Sequence, residues 1–247
     1  MILFRVIFCL ILQTVDVWSE PFSFNLVTPE AELSAKQITE LLYRAKKEAP
    51  LNLTGLDLTY LDLSNLDFKK ARLSHADLYG TDFTDANLKE ADLSSTRLDR
   101  AVLIRTNFSY ANLEAATIFR PTIYSDLSTK LGDAPLFIGA NLKRIKVQAE
   151  LSGANFRGAD LSEADFHPLE DRPGQGTLVT LRRNVLKSCD FTAARLVHAN
   201  FSESVLTFSK MTDADLSGAN FKDADLSKVD FRSANLSLSL IHISEPT

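Results

Sequence analysis

His167 precedes Glu170 and Asp171 by three and four residues, and an imidazole beside two carboxylates could shuttle protons or hold a divalent metal. The three lie in a polar stretch with no second ligand pair at metal-binding spacing, so solvated side chains are expected there. His75 and His198 stand alone. Cys189 could act as a nucleophile only as a thiolate, but it occupies a small-residue position of the pattern described below, where a buried, inert thiol is expected. No nucleophile-elbow, zinc-protease, phosphate-loop or dinucleotide motif occurs. No catalytic, cofactor-binding or metal-binding residue is therefore assigned, and the chain reads as a non-enzyme.

The dominant feature is a period of five, which neither the 3.6-residue helical repeat nor strand alternation explains. In the stretch ADLSGANFKDADLSKVDF, 214–231, a large apolar residue recurs at every fifth position with a small residue two places before it. With the large residue third, fifteen units run unbroken over 51–125; two begin at Ala140 and Ile145, four at Ala149 and twelve at Val179. All 33 third positions are Leu, Phe, Ile, Val or Met, and 18 of the 33 first positions are Ala. The second position is often Asp or Asn, as at Asp77, Asp92, Asp215 and Asp225. Such regular recurrence predicts structural hydrogen bonds at corners, not catalysis.

A side chain that is always large and apolar must always face one interior, so the chain must turn by a constant amount every five residues. From Leu186 onward Leu alternates with Phe or Met, which suits four units per turn. Positions twenty apart then stack: Phe191, Met211 and Phe231 in one column, Phe201 and Phe221 in the opposite one, and Leu on the other two faces. Leu53, Phe68, Phe83, Leu88, Phe108, Phe156, Leu161 and Phe166 belong to the same expected core. Small first positions follow from close packing, which leaves no room for two large side chains per face.

Tandem A-(D/N)-(L/F)-x-x resembles the pentapeptide repeat family over about two-thirds of the chain. The resemblance implies an all-β fold, a right-handed quadrilateral β-helix of roughly eight coils about 4.8 Å apart. The units starting at Leu51, Leu56, Leu61 and Leu66 carry Leu where later ones carry Ala, suggesting a terminal coil closed by something else. Ser34 and Gln37 have capping-box spacing, and Ile38, Leu41, Leu42 and Ala45 share one face, so 34–47 is expected to form a short N-terminal α-helical cap.

The expected organisation is a secretory signal peptide at 1–19, an N-terminal segment with its capping helix at 20–50, a β-helix at 51–237, and a non-native tail at 238–247. The leader has Arg5, an apolar run from Val6 to Leu12, and short side chains before Glu20; the run is too short to span a membrane. The tail, LSLIHISEPT, breaks the repeat and resembles the translation of a transposon-end sequencing adapter. Interruptions are placed at 126–139 and 169–178, the second read as replacing two faces of one coil while keeping register. Loops carried on a rigid scaffold suit recognition, which makes Leu136 and Phe137 in the first, and Glu170, Asp171 and Arg172 in the second, candidate partner-binding residues.

The net charge of −5 is mild, and cations such as Lys69, Lys70, Arg72, Lys210, Lys222 and Lys228 are interspersed with acids, so nucleic acid is disfavoured as a partner. These features favour a structural or protein-binding module of bacterial type, periplasmic or secreted where the leader is genuine and cytoplasmic otherwise, with an unnamed protein partner and no cofactor. The alternative is the DNA-mimicking modulation of DNA gyrase known for some members of the family; it favours a cytoplasmic and more acidic protein.

Overall fold

A computed structural model describes residues 32–45, 49–68, 70–125, 131–168 and 183–241. They belong to one compact unit, Ala31–Thr247. Backbone pairing is parallel throughout, and rungs pair with residues twenty further on: Asn52 with Arg72, Asp57 with Asp77, Asp62 with Asp82, Asp67 with Asn87. Four pairings per twenty residues make a β-solenoid whose coil has four faces. Faces one to four are named here by those four starting rungs. Strands lengthen to three residues in β1 (Thr117–Phe119) and β2 (Lys146–Gln148), which pair in parallel on face two beside a four-residue unit.

The unit of five follows from its hydrogen bonds. Within a rung the third-position N–H donates to the next coil (Leu53 N to Arg72 O, 2.7 Å) and the second-position N–H to the previous one (Arg72 N to Leu51 O, 2.8 Å). At each corner the fifth residue adopts left-handed φ, as in His75 (φ 60) and Glu163 (φ 60), and the next first-position N–H closes the turn (Ala76 N to Leu73 O, 2.9 Å). Left-handed conformation costs a non-glycine residue about 1–2 kcal/mol. The fifth N–H offsets this by donating onward, as His75 N does to Ser94 O at 2.9 Å. Second-position Asp and Asn accept from the N–H two residues on (Thr84 N to Asp82 Oδ1, 2.8 Å), and Asn also donates down the face, Asn112 Nδ2 to Asp92 Oδ1 at 3.1 Å. Asp and Asn suit the position because their short side chains reach that N–H without strain, and Glu150 makes the same bond from a longer one (Ser152 N to Glu150 Oε1, 3.1 Å).

The third positions fill the axis. Leu53, Phe68, Phe83, Leu88, Phe108, Phe156, Leu161, Phe166, Phe191, Phe201, Met211 and Phe221 are all buried, whereas Phe231 is half-buried. Two aromatic columns stand on opposite faces. Phe108, Phe137, Phe156 and Phe191 stack at 5.1, 4.9 and 4.8 Å on face four, and Phe166, Phe201 and Phe221 stack at 4.8 and 5.4 Å on face two. First-position hydroxyls are satisfied by third-position carbonyls, of the coil before in Thr81 (to Leu58 O, 2.8 Å) and Thr106 (to Phe83 O, 2.8 Å) and of the same coil in Thr96 (to Leu93 O, 2.7 Å).

Ahead of the first coil lies α1 (Ala35–Arg44), capped by the expected box: Ser34 N donates to Gln37 Oε1 (2.8 Å), and Gln37 N to Ser34 Oγ (3.3 Å). Ile38 and Leu42 are buried in the same cluster as Leu53 and Leu58, with Leu51, Leu56, Leu61 and Leu66 packed against it. No helix among the described residues is long and apolar enough to cross a membrane. The proposed leader at 1–19 lies outside the described residues. Residues 238–241 still follow the coil, Leu240 pairing with Asn220, although the sequence pattern has by then lapsed.

Candidate functional site

Rung offsets locate the irregularities. Asn107 pairs with Leu136, 29 residues on instead of twenty, so nine residues, 126–134, are extra at the corner between faces three and four. Leu136 pairs with Asn155, nineteen on, so the unit 145–148 has only four residues, at the corner between faces two and three. Glu150 pairs with Val185, 35 on, so fifteen residues, 169–183, are extra at that same corner one coil later. All three irregularities therefore border face three within three successive coils. The first interruption is shorter than the 126–139 read from the sequence, and the second adds to its coil and replaces no face, since Asp160, Asp165, Val185 and Asp190 all keep their rungs.

The nine-residue insertion is tied down by a carboxylate–guanidinium chain. Arg105 bonds Asp85 through Nε and Nη2, both at 2.7 Å, and Asp133 through Nη1 at 2.8 Å. Its own N–H donates to Asp133 O (2.7 Å), and the second oxygen of Asp133 accepts from Ser125 Oγ (2.7 Å) and Ser125 N (3.2 Å). Ser125 N is thus drawn away from the next coil, and Tyr124 supplies the missing bond by donating its hydroxyl to Ser152 O at 3.2 Å and to Glu150 Oε1 at 3.2 Å. The Ser125 hydroxyl, and then Arg105, hold the Asp133 carboxyl below the usual 3.8. A carboxyl depressed on folding contributes stability above its unfolded pKa and loses it as pH falls through the folded value. Protection of the Arg105 and Ser125 amides from hydrogen exchange should therefore drop below about pH 4. In Asp133→Asn it should be low throughout and free of that pH step; an unchanged pH step in the variant would dismiss Asp133 as the anchor.

The surface between the insertions differs from the rest. Second positions on faces one and two are polar along the paired coils up to Asn220, whereas face three carries Val102, Val185 and Val205, with Thr122 and Glu150 between them. The valines are half-buried, Thr122 is exposed, and Phe208 at the adjoining corner is 56% exposed beneath Lys228 Nζ, 4.8 Å from the ring centroid. Half-exposed β-branched side chains on a flat rung present apolar area already ordered by the sheet.

Of the loop residues proposed from sequence, Phe137 is a correction: it is wholly buried between Phe108 and Phe156 as a core ring. Leu136 is a rung residue, 37% exposed, on face four. Pro135 in the first position had hidden their unit. Glu170, Asp171 and Arg172 lie outside the described residues. His167 Nδ1 lies 2.8 Å from Ser202 Oγ, and Ser202 donates to Asn200 Oδ1 (2.7 Å), so the ring is engaged within face two. No group of three or more metal-ligating side chains occurs among the described residues. Cys189 is fully buried, its Sγ 3.2 Å from Leu151 O, and burial pushes the thiol well above its usual range. Sequence reasoning missed the valines of face three; they were visible, but only the coil register shows that they share a face and that both insertions flank it.

Among solved structures, HetL, a pentapeptide repeat protein involved in heterocyst differentiation regulation in the cyanobacterium Nostoc sp. strain PCC 7120, is 21% identical, with 84% of this chain and 94% of that chain covered and a TM-score of 0.45. QnrB1, a plasmid-mediated fluoroquinolone resistance protein, is 20% identical over 74% of this chain and 92% of its own, with a TM-score of 0.39. A pentapeptide repeat protein from the Arabidopsis thaliana thylakoid lumen is 24% identical over 52% and 76%, with a TM-score of 0.25. No curated protein matches the sequence. The model of pentapeptide repeats matches 52–85, 86–118, 147–167, 185–223 and 199–237, more than half of the 247 residues. With its unit, its coil and this match in agreement, the chain belongs to the pentapeptide repeat family.

Proposed function

We propose that this chain is a non-enzymatic protein-binding module: a right-handed quadrilateral β-helix, closed at its start by α1, that docks a protein partner on face three between its two insertions. The observation that carries the reading is the crowding of both insertions and the short unit around one face, which also bears the only valine rungs among the described residues. A scaffold of repeats holds that face rigid, so little ordering entropy is lost on docking. Its axis is occupied by third-position side chains, which suits binding at a surface. The proposed leader at 1–19 supports work in the periplasm or the medium.

The test is a photo-crosslinking amino acid at Val205 or, as the control on face one, at Ser94 of the full chain in its native host. A discrete crosslinked protein at Val205, absent at Ser94 and lost when Val185→Asp is added, is the expected result, with the adduct recovered from the periplasm or medium. Equal labelling at both positions, or an adduct unaffected by Val185→Asp, would remove face three from the proposal.

A further inference from the structure

Cations in this coil are commonly neutralised by acids on the neighbouring coil: Lys70 by Glu90, Arg97 by Asp77, Arg105 by Asp85, Arg144 by Glu114. Arg100 and Arg120 depart from this. They occupy the same fifth position on consecutive coils, at the corner between faces two and three, with φ 58 and 54. Rungs pair 97 with 117 and 102 with 122 on either side, so the two stand about 4.8 Å apart along the axis. Both are exposed, and neither makes an ion pair or hydrogen bond through its side chain among the described residues. Like charges facing one another across adjacent strands are destabilising. No other two described cations share a position on consecutive coils.

Space has been left around the pair. The position below Arg100 is Gly80, over which the Tyr60 ring lies, its Cδ1 2.7 Å from where a Cβ would stand. The position above Arg120 does not exist, because the unit 145–148 lacks its fifth residue and Arg120 N bonds Gln148 O directly at 2.8 Å. Two exposed arginines and Tyr60, 53% exposed, share this corner on the edge of the valine face, and the adjoining Asp99 carboxylate is engaged by Thr117 Oγ1 (2.9 Å) and Phe119 N (3.1 Å).

We propose that Arg100 and Arg120 clamp carboxylates of an acidic segment of the partner protein, which lies in extended form along the edge of face three. This rests on the reading of face three as the docking face and adds the chemistry of what docks there. Guanidiniums match carboxylates in geometry and bind them by charge-assisted, often paired hydrogen bonds. The pair is only two cations high, so it matches one or two carboxylates and supplies too few charges to hold a long phosphodiester run.

The test uses the full chain and a fluorescein-labelled ten-residue peptide of alternating glutamate and valine, read by anisotropy. Arg100→Gln and Arg120→Gln should each weaken binding at least about five-fold, and the double variant about thirty-fold, with the loss mirrored by added salt. Arg157→Gln, on face four, should leave the affinity unchanged, and circular dichroism should confirm that every variant is folded. The peptide with glutamine in place of glutamate should not bind. Absence of peptide binding, affinity indifferent to both arginines, or equal Arg-dependent binding of labelled oligothymidylate would each overturn the clamp. If crosslinking at Val205 fails while the peptide keeps its dependence on the arginines, the clamp stands and the docking face does not.

Discussion

Phe156→Ala is expected to destabilise the repeats by about 3–5 kcal/mol, the range for emptying an aromatic site in a packed core. Phe156 is 2% exposed and lies between Phe137 at 4.9 Å and Phe191 at 4.8 Å, its ring within 3° of parallel to both. Removing it opens a void in mid-column that neither neighbour can fill, because each is held at its own rung by backbone bonds 2.7 Å long (Phe137 N to Asn155 O, Phe191 N to Lys210 O). In a solenoid such a loss is felt first by the adjoining coils, so urea unfolding followed by circular dichroism should show a lower midpoint and also a broader transition. Phe208→Ala supplies the contrast, since that ring is 56% exposed and packs beneath Lys228; its effect should stay within about 0.5 kcal/mol. Similar losses for the two variants would mean that the column is not the load the fold depends on.

How much of this was legible beforehand varies with scale. The period of five, the twenty-residue coil and the two aromatic columns follow from sequence alone, because a third-position side chain has one place to go whichever coil it is in. The capping box of Ser34 and Gln37 was equally plain, since its bonds span three residues. What escaped was register across interruptions. Nine extra residues are not a multiple of five, so Leu136 and Phe137 fell out of step with the units before them, and Pro135 withheld the Ala that would have marked a new start. The coil tolerates Pro at this point because Asp133 and Arg105 take up the bonds of that corner. The short unit was visible in the unit starts at Ile145 and Ala149, four residues apart, but that it falls directly above Arg120 follows only from the coil register. Face three emerges only when offsets of 29, 19 and 35 are laid along the coil together.

The second large effect is expected at Asn184, a first-position residue where Ala is the rule. Its amide repairs two defects. In the four-residue unit 145–148 the usual corner bond, from a first-position N–H to the third-position carbonyl before it, cannot form, because Val147 and Ala149 are only two residues apart. Ala149 N instead donates to Asn184 Oδ1 at 2.7 Å, and Asn184 Nδ2 donates to Val147 O at 3.0 Å. One coil later, beside the fifteen-residue insertion, Asn184 Nδ2 also reaches Phe166 O at 2.5 Å, joined there by Ser204 Oγ at 3.0 Å. Asn184 is fully buried, so Asn184→Ala leaves the Ala149 N–H and the Val147 carbonyl unpaired away from water. At about 1–3 kcal/mol for each of the two stranded groups, the loss should be about 2–6 kcal/mol. Asn184→Asp keeps the acceptor but loses the donor and buries a charge, so it should be no better. Ser204→Ala, which leaves Phe166 O its bond from Asn184, should cost under about 1 kcal/mol alone and more than that when combined with Asn184→Ala. Chemical denaturation of the four variants decides the matter: an Asn184→Ala protein as stable as its parent, with no coupling to Ser204, would show that the short unit and the long insertion are accommodated independently of this side chain.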